Sequence, residues 1–292
     1  MTISQEPAHH VAVVLSVLMA CSQASDYESA GSLARFSLSS ESLRQWKLPR
    51  KLSEISGLAL TPDGRLLAIC DESAIVYELD YKAGKILKAF ALGRPTERGD
   101  FEGIAYLNDT VFLVTSDGRL YASIEGADGE RVSYRMYRTG LGKVCEIEGL
   151  AANARTKKLM LACKDRIKKG KRNDLSVFYW SPSTRALIGD EKIVLPERKI
   201  EKLLGKKRVN PSGIAIDPKT GNLFIIAARQ RAVIELEPNG DLVGAIILPL
   251  AGRHRQPEGV SLTRDGQLLI ADEGSGKRAT LSIYNENRQE TP

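Results

Sequence analysis

With 292 residues, 42% of them hydrophobic and 27% charged, the chain is long and apolar enough to bury a sizeable core, which excludes a disordered or low-complexity protein. The formal net charge is +6, from 42 basic and 36 acidic residues, and the basic excess gathers in two runs: Lys164, Arg166, Lys168, Lys169, Lys171 and Arg172, then Arg198, Lys199, Lys202, Lys206, Lys207 and Arg208. No aromatic residues interleave with these runs and no nucleic-acid-reading motif accompanies them, so nucleic acid is not an expected partner; they read as solvated loops, or as a face for an anionic partner such as lipid or polysaccharide.

Along the chain, the first element is the apolar run Val11 to Ala20, too short to span a bilayer, which takes ~20 residues. It ends in Leu18-Met19-Ala20-Cys21, which resembles the lipobox of bacterial lipoproteins, where the cysteine becomes lipidated. Residues 1–21 are therefore read as a signal peptide, Cys21 as a lipidation site and residues 22–33 as a linker. Upstream the segment offers only His9, His10 and the terminal amine in place of a positive region, a departure from the usual signal. Ser22 after the cysteine favours the outer membrane by resemblance to Gram-negative sorting. The expected location is the cell envelope, with membrane contact only through the lipid anchor.

From residue 34 to 285 the chain repeats itself. Five segments align: Glu54-Ile55-Ser56-Gly57-Leu58, Asp100-Phe101-Glu102-Gly103-Ile104, Glu146-Ile147-Glu148-Gly149-Leu150, Asn210-Pro211-Ser212-Gly213-Ile214 and Gln256-Pro257-Glu258-Gly259-Val260. Their glycines, at 57, 103, 149, 213 and 259, are separated by 46, 46, 64 and 46 residues, the 64 being one period plus an insertion of 18 at about residues 165–207 that holds both basic runs. After each glycine come an alternating apolar stretch, a turn such as Thr61-Pro62-Asp63-Gly64 or Thr263-Arg264-Asp265-Gly266, and a second strand such as Leu66 to Cys70 or Leu159 to Cys163. Third and fourth strands follow, as in Val233 to Leu236 and Leu242 to Leu248. Four short antiparallel strands per period predict an all-β fold, a single five-bladed β-propeller. The last repeat has room for three strands, and Ala34 to Leu48 supplies the fourth, closing the ring with the N-terminal strand. A six-bladed ring is the alternative, and residues 286–292 form a tail. Of the four cysteines, Cys145 opens a repeat and Cys163 ends its second strand, so these two form a hairpin disulfide or stay as buried thiols beside Cys70.

The innermost strand of a propeller blade lines the central channel, so the residue before each glycine forms a ring: Ser56, Glu102, Glu148, Ser212 and Glu258. Three carboxylates on one narrow ring repel and raise each other's pKa unless a cation sits among them. All-oxygen donors favour a hard ion, calcium over magnesium. The ends of the second strands border the channel mouth, bringing Asp71-Glu72, Asp117, Asp272-Glu273, Lys164 and Arg229 there; Asp71 and Asp272 are matched between two blades and join the expected ligand set. Turn hydrogen bonding is the other role open to these acids.

The motifs Asp-Phe-Glu-Gly-Ile-Ala at 100–105, Glu-Ile-Glu-Gly-Leu-Ala at 146–151, Pro-Ser-Gly-Ile-Ala-Ile-Asp-Pro at 211–218 and Gln-Pro-Glu-Gly-Val at 256–260 together resemble the SdiA-regulated, YjiK-like proteins, distantly similar to NHL-repeat proteins. The resemblance implies a five-bladed propeller with one calcium ion in the central channel, held at Glu102, Glu148 and Glu258. Two functions follow as expectations: an exported, non-enzymatic calcium-binding scaffold or sensor whose face takes a peptide, protein or anionic ligand, or a calcium-dependent hydrolase of the lactonase, phosphoesterase or phytase kind. The second needs a base beside the metal. His254 is the one histidine beyond the leader, and Asp272 is the carboxylate placed to serve.

Overall fold

The computed structural model describes Met1 and residues 32–36, 38, 43–165, 174–206, 208–249 and 253–286; the leader, Cys21, most of the linker and the tail lie outside the described residues. Alternating apolar strands separated by Gly- and Asp-containing turns give β1 (Leu43–Lys47), β2 (Ile55–Leu60), β3 (Leu66–Cys70), β4 (Ser73–Asp80), β5 (Lys85–Leu92), β6 (Phe101–Leu107), β7 (Thr110–Thr115), β8 (Arg119–Ile124), β9 (Arg131–Val132) and β10 (Arg135–Arg138). Next are β11 (Ile147–Asn153), β12 (Lys158–Cys163), β13 (Ser176–Ser181), β14 (Ala186–Val194), β15 (Gly213–Ile216), β16 (Leu223–Ala227), β17 (Ala232–Leu236), β18 (Leu242–Ile247), β19 (Pro257–Leu262), β20 (Gln267–Asp272) and β21 (Thr280–Asn285). The hairpin turns close as their residues require: the Thr61 carbonyl accepts the Gly64 N–H at 3.0 Å, and Thr263 accepts Gly266 at 3.1 Å.

These strands form five sheets, the blades of a five-bladed β-propeller. The inner-to-outer orders are β2-β3-β4-β5 with β9 added at the edge, β6-β7-β8-β10, β11-β12-β13-β14, β15-β16-β17-β18 and β19-β20-β21-β1. In the fifth blade β1 pairs antiparallel with β21, Leu43 opposite Tyr284 and Lys47 opposite Thr280, so the N-terminal strand completes the last sheet. Just before it, a short 3-10 turn, Ser32–Arg35, is fastened to the fourth and fifth blades. The Leu33 N–H donates to the buried Glu235 carboxylate at 2.7 Å, and Arg35 pairs with Asp217 at 2.5 Å.

Core lies between neighbouring blades, in five apolar clusters. Phe90, Phe101, Ile104 and Tyr121 join the first and second blades, and Leu150, Leu161 and Trp180 fill the space between second and third. Leu58, Leu269 and Leu281 seal the fifth against the first. Each large side chain fully withdrawn from water contributes about 1.5–3 kcal/mol, so every inter-blade seam carries a large share of the total and the ring is held along its whole circumference.

The extra length of the third period divides between two places. Residues 164–175 separate β12 from β13, and residues 195–212 separate β14 from β15; the two outer strands of the blade lie inside the span 165–207, which is therefore not one insertion. The second excursion contains the helix α1 (Glu197–Leu204), which buries Ile200 and Leu204 against the third and fourth blades and leaves Arg198, Lys199 and Lys202 exposed. No helix among the described residues is long and apolar enough to cross a membrane.

The inner strands approach so closely that a methyl group is excluded at one level. A Cβ added to Gly103 would stand 2.6 Å from the Leu150 backbone nitrogen, whereas one added to Gly149 would come no nearer than 3.1 Å to any atom. Gly103→Ala is expected to destabilise the protein by about 1–3 kcal/mol, an overpacking cost, and Gly149→Ala by less. Chemical denaturation of both variants measures the difference.

Candidate metal centre

Every inner strand begins at the same end of the channel with a polar residue, an apolar residue, the ring residue and glycine. Ile55, Phe101 and Ile147 at the apolar position are fully buried, which points the residues on either side toward the axis by the two-residue alternation of a strand. In four blades the pairing register shifts at the ring residue: between Ile55 and Gly57, Phe101 and Gly103, Ile147 and Leu150, and Pro257 and Gly259. A β-bulge leaves a residue unpaired and re-aims its side chain, and here it falls on Ser56, Glu102, Glu148 and Glu258. In the fourth blade the ladder starts at Gly213, and the Ser212 hydroxyl is used structurally, donating to the Pro257 carbonyl at 2.7 Å and accepting the Ala228 N–H at 3.0 Å.

The three glutamates share an electrostatic problem. Burial, then the charges of Glu148 and Asp100, push the Glu102 carboxyl from 4.5 up to about 9. Burial raises Glu148 to about 7, against the pull of Lys164, whose Nζ lies 2.6 Å from Glu148 Oε1 and 3.1 Å from Glu146 Oε1. Burial also raises Glu258, which accepts a hydrogen bond from Gln256 Nε2 at 2.8 Å. Asp71 stands in the same field: burial, then Glu54, raise its carboxyl. Four buried side-chain oxygens lack a partner among the described residues: Ser56 Oγ and Asp71 Oδ1 in the first blade, and Gln267 Oε1 and Asp272 Oδ1 on β20 of the fifth. Among the described residues no three His, Cys, Asp or Glu side chains stand already gathered as a metal-ligand set. What is gathered is an excess of oxygen donors and negative charge, of a chemistry that fits a hard cation.

Asp272 is not part of this group. It sits opposite Pro257 in the β19–β20 ladder, on the side of the strand away from the ring. Its Oδ2 lies 2.8 Å from His254 Nδ1, and His254 Nε2 lies 2.7 Å from the Tyr284 hydroxyl. All three are buried, so the histidine is spent inside the blade and is not beside the ring. The matching of Asp71 with Asp272 is corrected by one residue. The Asp71 N–H donates to the Glu54 carbonyl and the Glu273 N–H to the Gln256 carbonyl, so Glu273 is the equivalent of Asp71, and Asp272 corresponds to Cys70. A slip of one residue exchanges the two faces of a strand. Glu273 does face the mouth: burial, then Glu54 and Glu258, raise it to about 8. Asp117 turns outward to Thr115 and Arg119, and Arg229 is exposed.

A second row of oxygen-bearing residues runs beside the ring. Three residues before each glycine stand Glu54, Asp100, Glu146, Asn210 and Gln256, all carrying oxygen. Alternation places this row on the same side as the ring residues, one step nearer the mouth. Cys145 and Cys163 form a disulfide across the start of the third blade, beside Glu146 and Lys164.

The family model described as SdiA-regulated matches residues 185–291, which takes in the Ser212 and Glu258 steps of the fourth and fifth blades. The chain's resemblance to the SdiA-regulated family holds. Among solved structures, it is similar to the glutaminyl cyclase of Myxococcus xanthus, at 16% identity over 83% of this chain and 95% of that one with a TM-score of 0.57. It is also similar to the PQQ-bound aldose sugar dehydrogenase of Streptomyces coelicolor, at 14% identity over 82% and 98% with a TM-score of 0.52. A streptogramin B lyase matches at 14% identity over 84% and 97%, with a TM-score of 0.50. At these identities the likeness is one of propeller fold, and it carries no activity across.

The raised carboxyls set a pH dependence for the metal-free protein. A carboxyl whose folded pKa lies above its unfolded value adds stability that is complete below the unfolded value and is lost as pH rises through the folded one. For Glu102 that window runs from 4.5 to about 9. Melting temperature in divalent-free buffer should therefore fall between pH 5 and pH 9, and Glu102→Gln should flatten the fall. An unchanged slope in that variant would show that another group titrates.

Proposed function

We propose that this protein is an exported calcium-binding β-propeller, acting as a non-enzymatic scaffold or sensor in the cell envelope. The observation that carries the metal reading is the ring itself: Glu102, Glu148 and Glu258 brought onto one level of the channel, the first at a pKa of about 9 through burial and its neighbours' charge. A divalent cation removes that repulsion and satisfies the unpartnered Ser56 and Asp71 oxygens. Lys164 already neutralises Glu148, so the ion belongs on the side of the first blade, with Glu102, Glu258, Ser56 and Asp71 as ligands and Glu273 and Asp100 adding charge. The resemblance to the SdiA-regulated family points the same way. Export is supported by the apolar run ending at Cys21 and by the Cys145–Cys163 disulfide, which suits an oxidising compartment.

Calcium that binds only the folded state stabilises it by about 2.7 kcal/mol at a hundredfold excess over Kd, a rise of roughly 5–10 °C in Tm for a domain of this size. Chelation should reverse the rise. No response to either treatment would sink the calcium reading. Glu102→Gln and Glu258→Gln should abolish the response and Glu273→Gln weaken it. Asp272→Asn should lower the melting temperature through its buried histidine contact yet leave the calcium shift in place. An intact shift in Glu273→Gln together with a lost one in Asp272→Asn would place Asp272, and not Glu273, at the channel mouth.

Lys164→Met gives a separate check. Removing the ammonium frees Glu148 for the ion and deletes a competing positive charge, so calcium should bind more tightly, measured by calorimetry at pH 8. Weaker binding would mean that Lys164 helps to assemble the site.

A further inference from the structure

Beyond the acidic mouth, the first blade carries an opposite feature. The segment between β5 and β6 forms a ledge that holds three arginines around a pocket of about 490 Å³, lined by Arg94, Pro95, Thr96, Arg98 and Arg131. The ledge is pinned on both sides. Gly93 N–H donates to the Val132 carbonyl at 2.9 Å, Glu97 N–H to the Leu92 carbonyl at 2.9 Å, and Ala74 N–H to the Glu97 carbonyl at 2.9 Å. Arg131 is fixed by the parallel pairing of β9 with β5, opposite Ala91. Its guanidinium donates to Thr96 Oγ1, and Arg94 Nη2 donates to the Arg131 carbonyl at 3.4 Å. Arg98 bridges to Ser73 at the start of β4.

Among the described residues none of the three guanidiniums has a carboxylate within ion-pair distance. The nearby acids are committed elsewhere: Glu97 accepts the Tyr134 hydroxyl at 2.6 Å, and Glu130 accepts the Ala127 N–H at 2.8 Å. Three exposed like charges are thus held around one open pocket, with no carboxylate paired to them among the described residues. Guanidinium forks match the oxygens of a phosphoryl group, and several arginines on one cavity favour a multiply charged oxyanion over chloride.

We infer that this pocket is a binding site for a phosphoryl group. It stands on its own residues, and so holds whether or not the channel takes calcium. Divalent ions are therefore removed from all buffers with chelating resin, and the full chain is titrated with inorganic pyrophosphate at fixed ionic strength, sodium chloride serving as the control. A second arm floats the protein on vesicles of phosphatidylcholine with and without phosphatidate. Saturable pyrophosphate binding assigns a soluble phosphate ligand; flotation on phosphatidate vesicles alone assigns a lipid headgroup; either supports the site. The double variant Arg94→Ser, Arg131→Ser should weaken binding by roughly tenfold or more, since hydrogen bonds to charged groups are the strong ones, while its melting transition stays within a few degrees of the parent. Arg98→Lys, which keeps the charge and loses the fork, should fall between. Pyrophosphate behaving as chloride does in the first arm, with no flotation in the second, overturns the proposal, and so does parental affinity in a folded double variant.

Discussion

The whole structure depends on how closely five inner strands approach at one level of the channel. A Cβ on Gly57 would meet Gly103, on Gly103 it would meet Gly149 and Leu150, on Gly149 it would meet Gly213, on Gly213 it would meet Glu258, and on Gly259 it would meet Leu58. The contacts run in one direction around the ring and return to the first blade. A glycine at this level lets backbone press on backbone, and that sets the channel width. The apolar seams between blades can then close on all five sides at once, because no blade is held away from its neighbour at the axis.

That narrowness generates the chemistry. Side chains one position before the glycines have no room to diverge, and the bulges turn them toward the axis in four of the blades. Carboxylates placed there lose water and face each other, which is why burial heads the causes of the raised Glu102, Glu148 and Glu258. Fold and charge are coupled in sequence as neighbours, one residue making the approach possible and the residue before it bearing the consequence.

The repeat spacing made the propeller legible, because equal separations of a Gly step follow directly from equal blades. The ring residues were legible for the same reason. Register along the second strands was not: Asp71-Glu72 and Asp272-Glu273 look alike as letters, but the ladders place Glu273, not Asp272, opposite the first residue of its repeat. Counting from the glycines would have revealed it, since Glu273 follows Gly259 at the same distance as Asp71 follows Gly57. The oxygen-bearing row from Glu54 to Gln256 was equally visible and went unread because its residues differ in kind while sharing only a donor atom. The third blade's excursions resisted reading for a physical reason. Loops obey no period, so the subtraction gave their summed length and could not divide it around β13 and β14. The Cys145–Cys163 bond needed the hairpin register, with Ile147 opposite Cys163, before its partners could be brought together.

The ring is fivefold in backbone and far from fivefold in charge, and the asymmetry has a direction. Serines stand at the first and fourth positions, so the first blade's Ser56 lies between Glu258 and Glu102, and the acids of the second row and mouth crowd the same side: Glu54, Asp71, Asp100 and Glu273. Across the channel the third blade supplies its own counter-ion in Lys164, which Glu146 and Glu148 share and which their contacts drive to a higher pKa against the opposing effect of burial. One half of the ring is therefore neutralised from within and the other is not. A symmetric ring would hold an ion on the axis. This one displaces the deficit toward the first blade, where the unpartnered Ser56 and Asp71 oxygens are, and whose outer rim carries the arginine ledge. Opposite charge requirements are thus set on a single blade, the acidic one inside at the channel and the basic one outside at the edge, with β3, β4 and β5 as the rigid spacer between them.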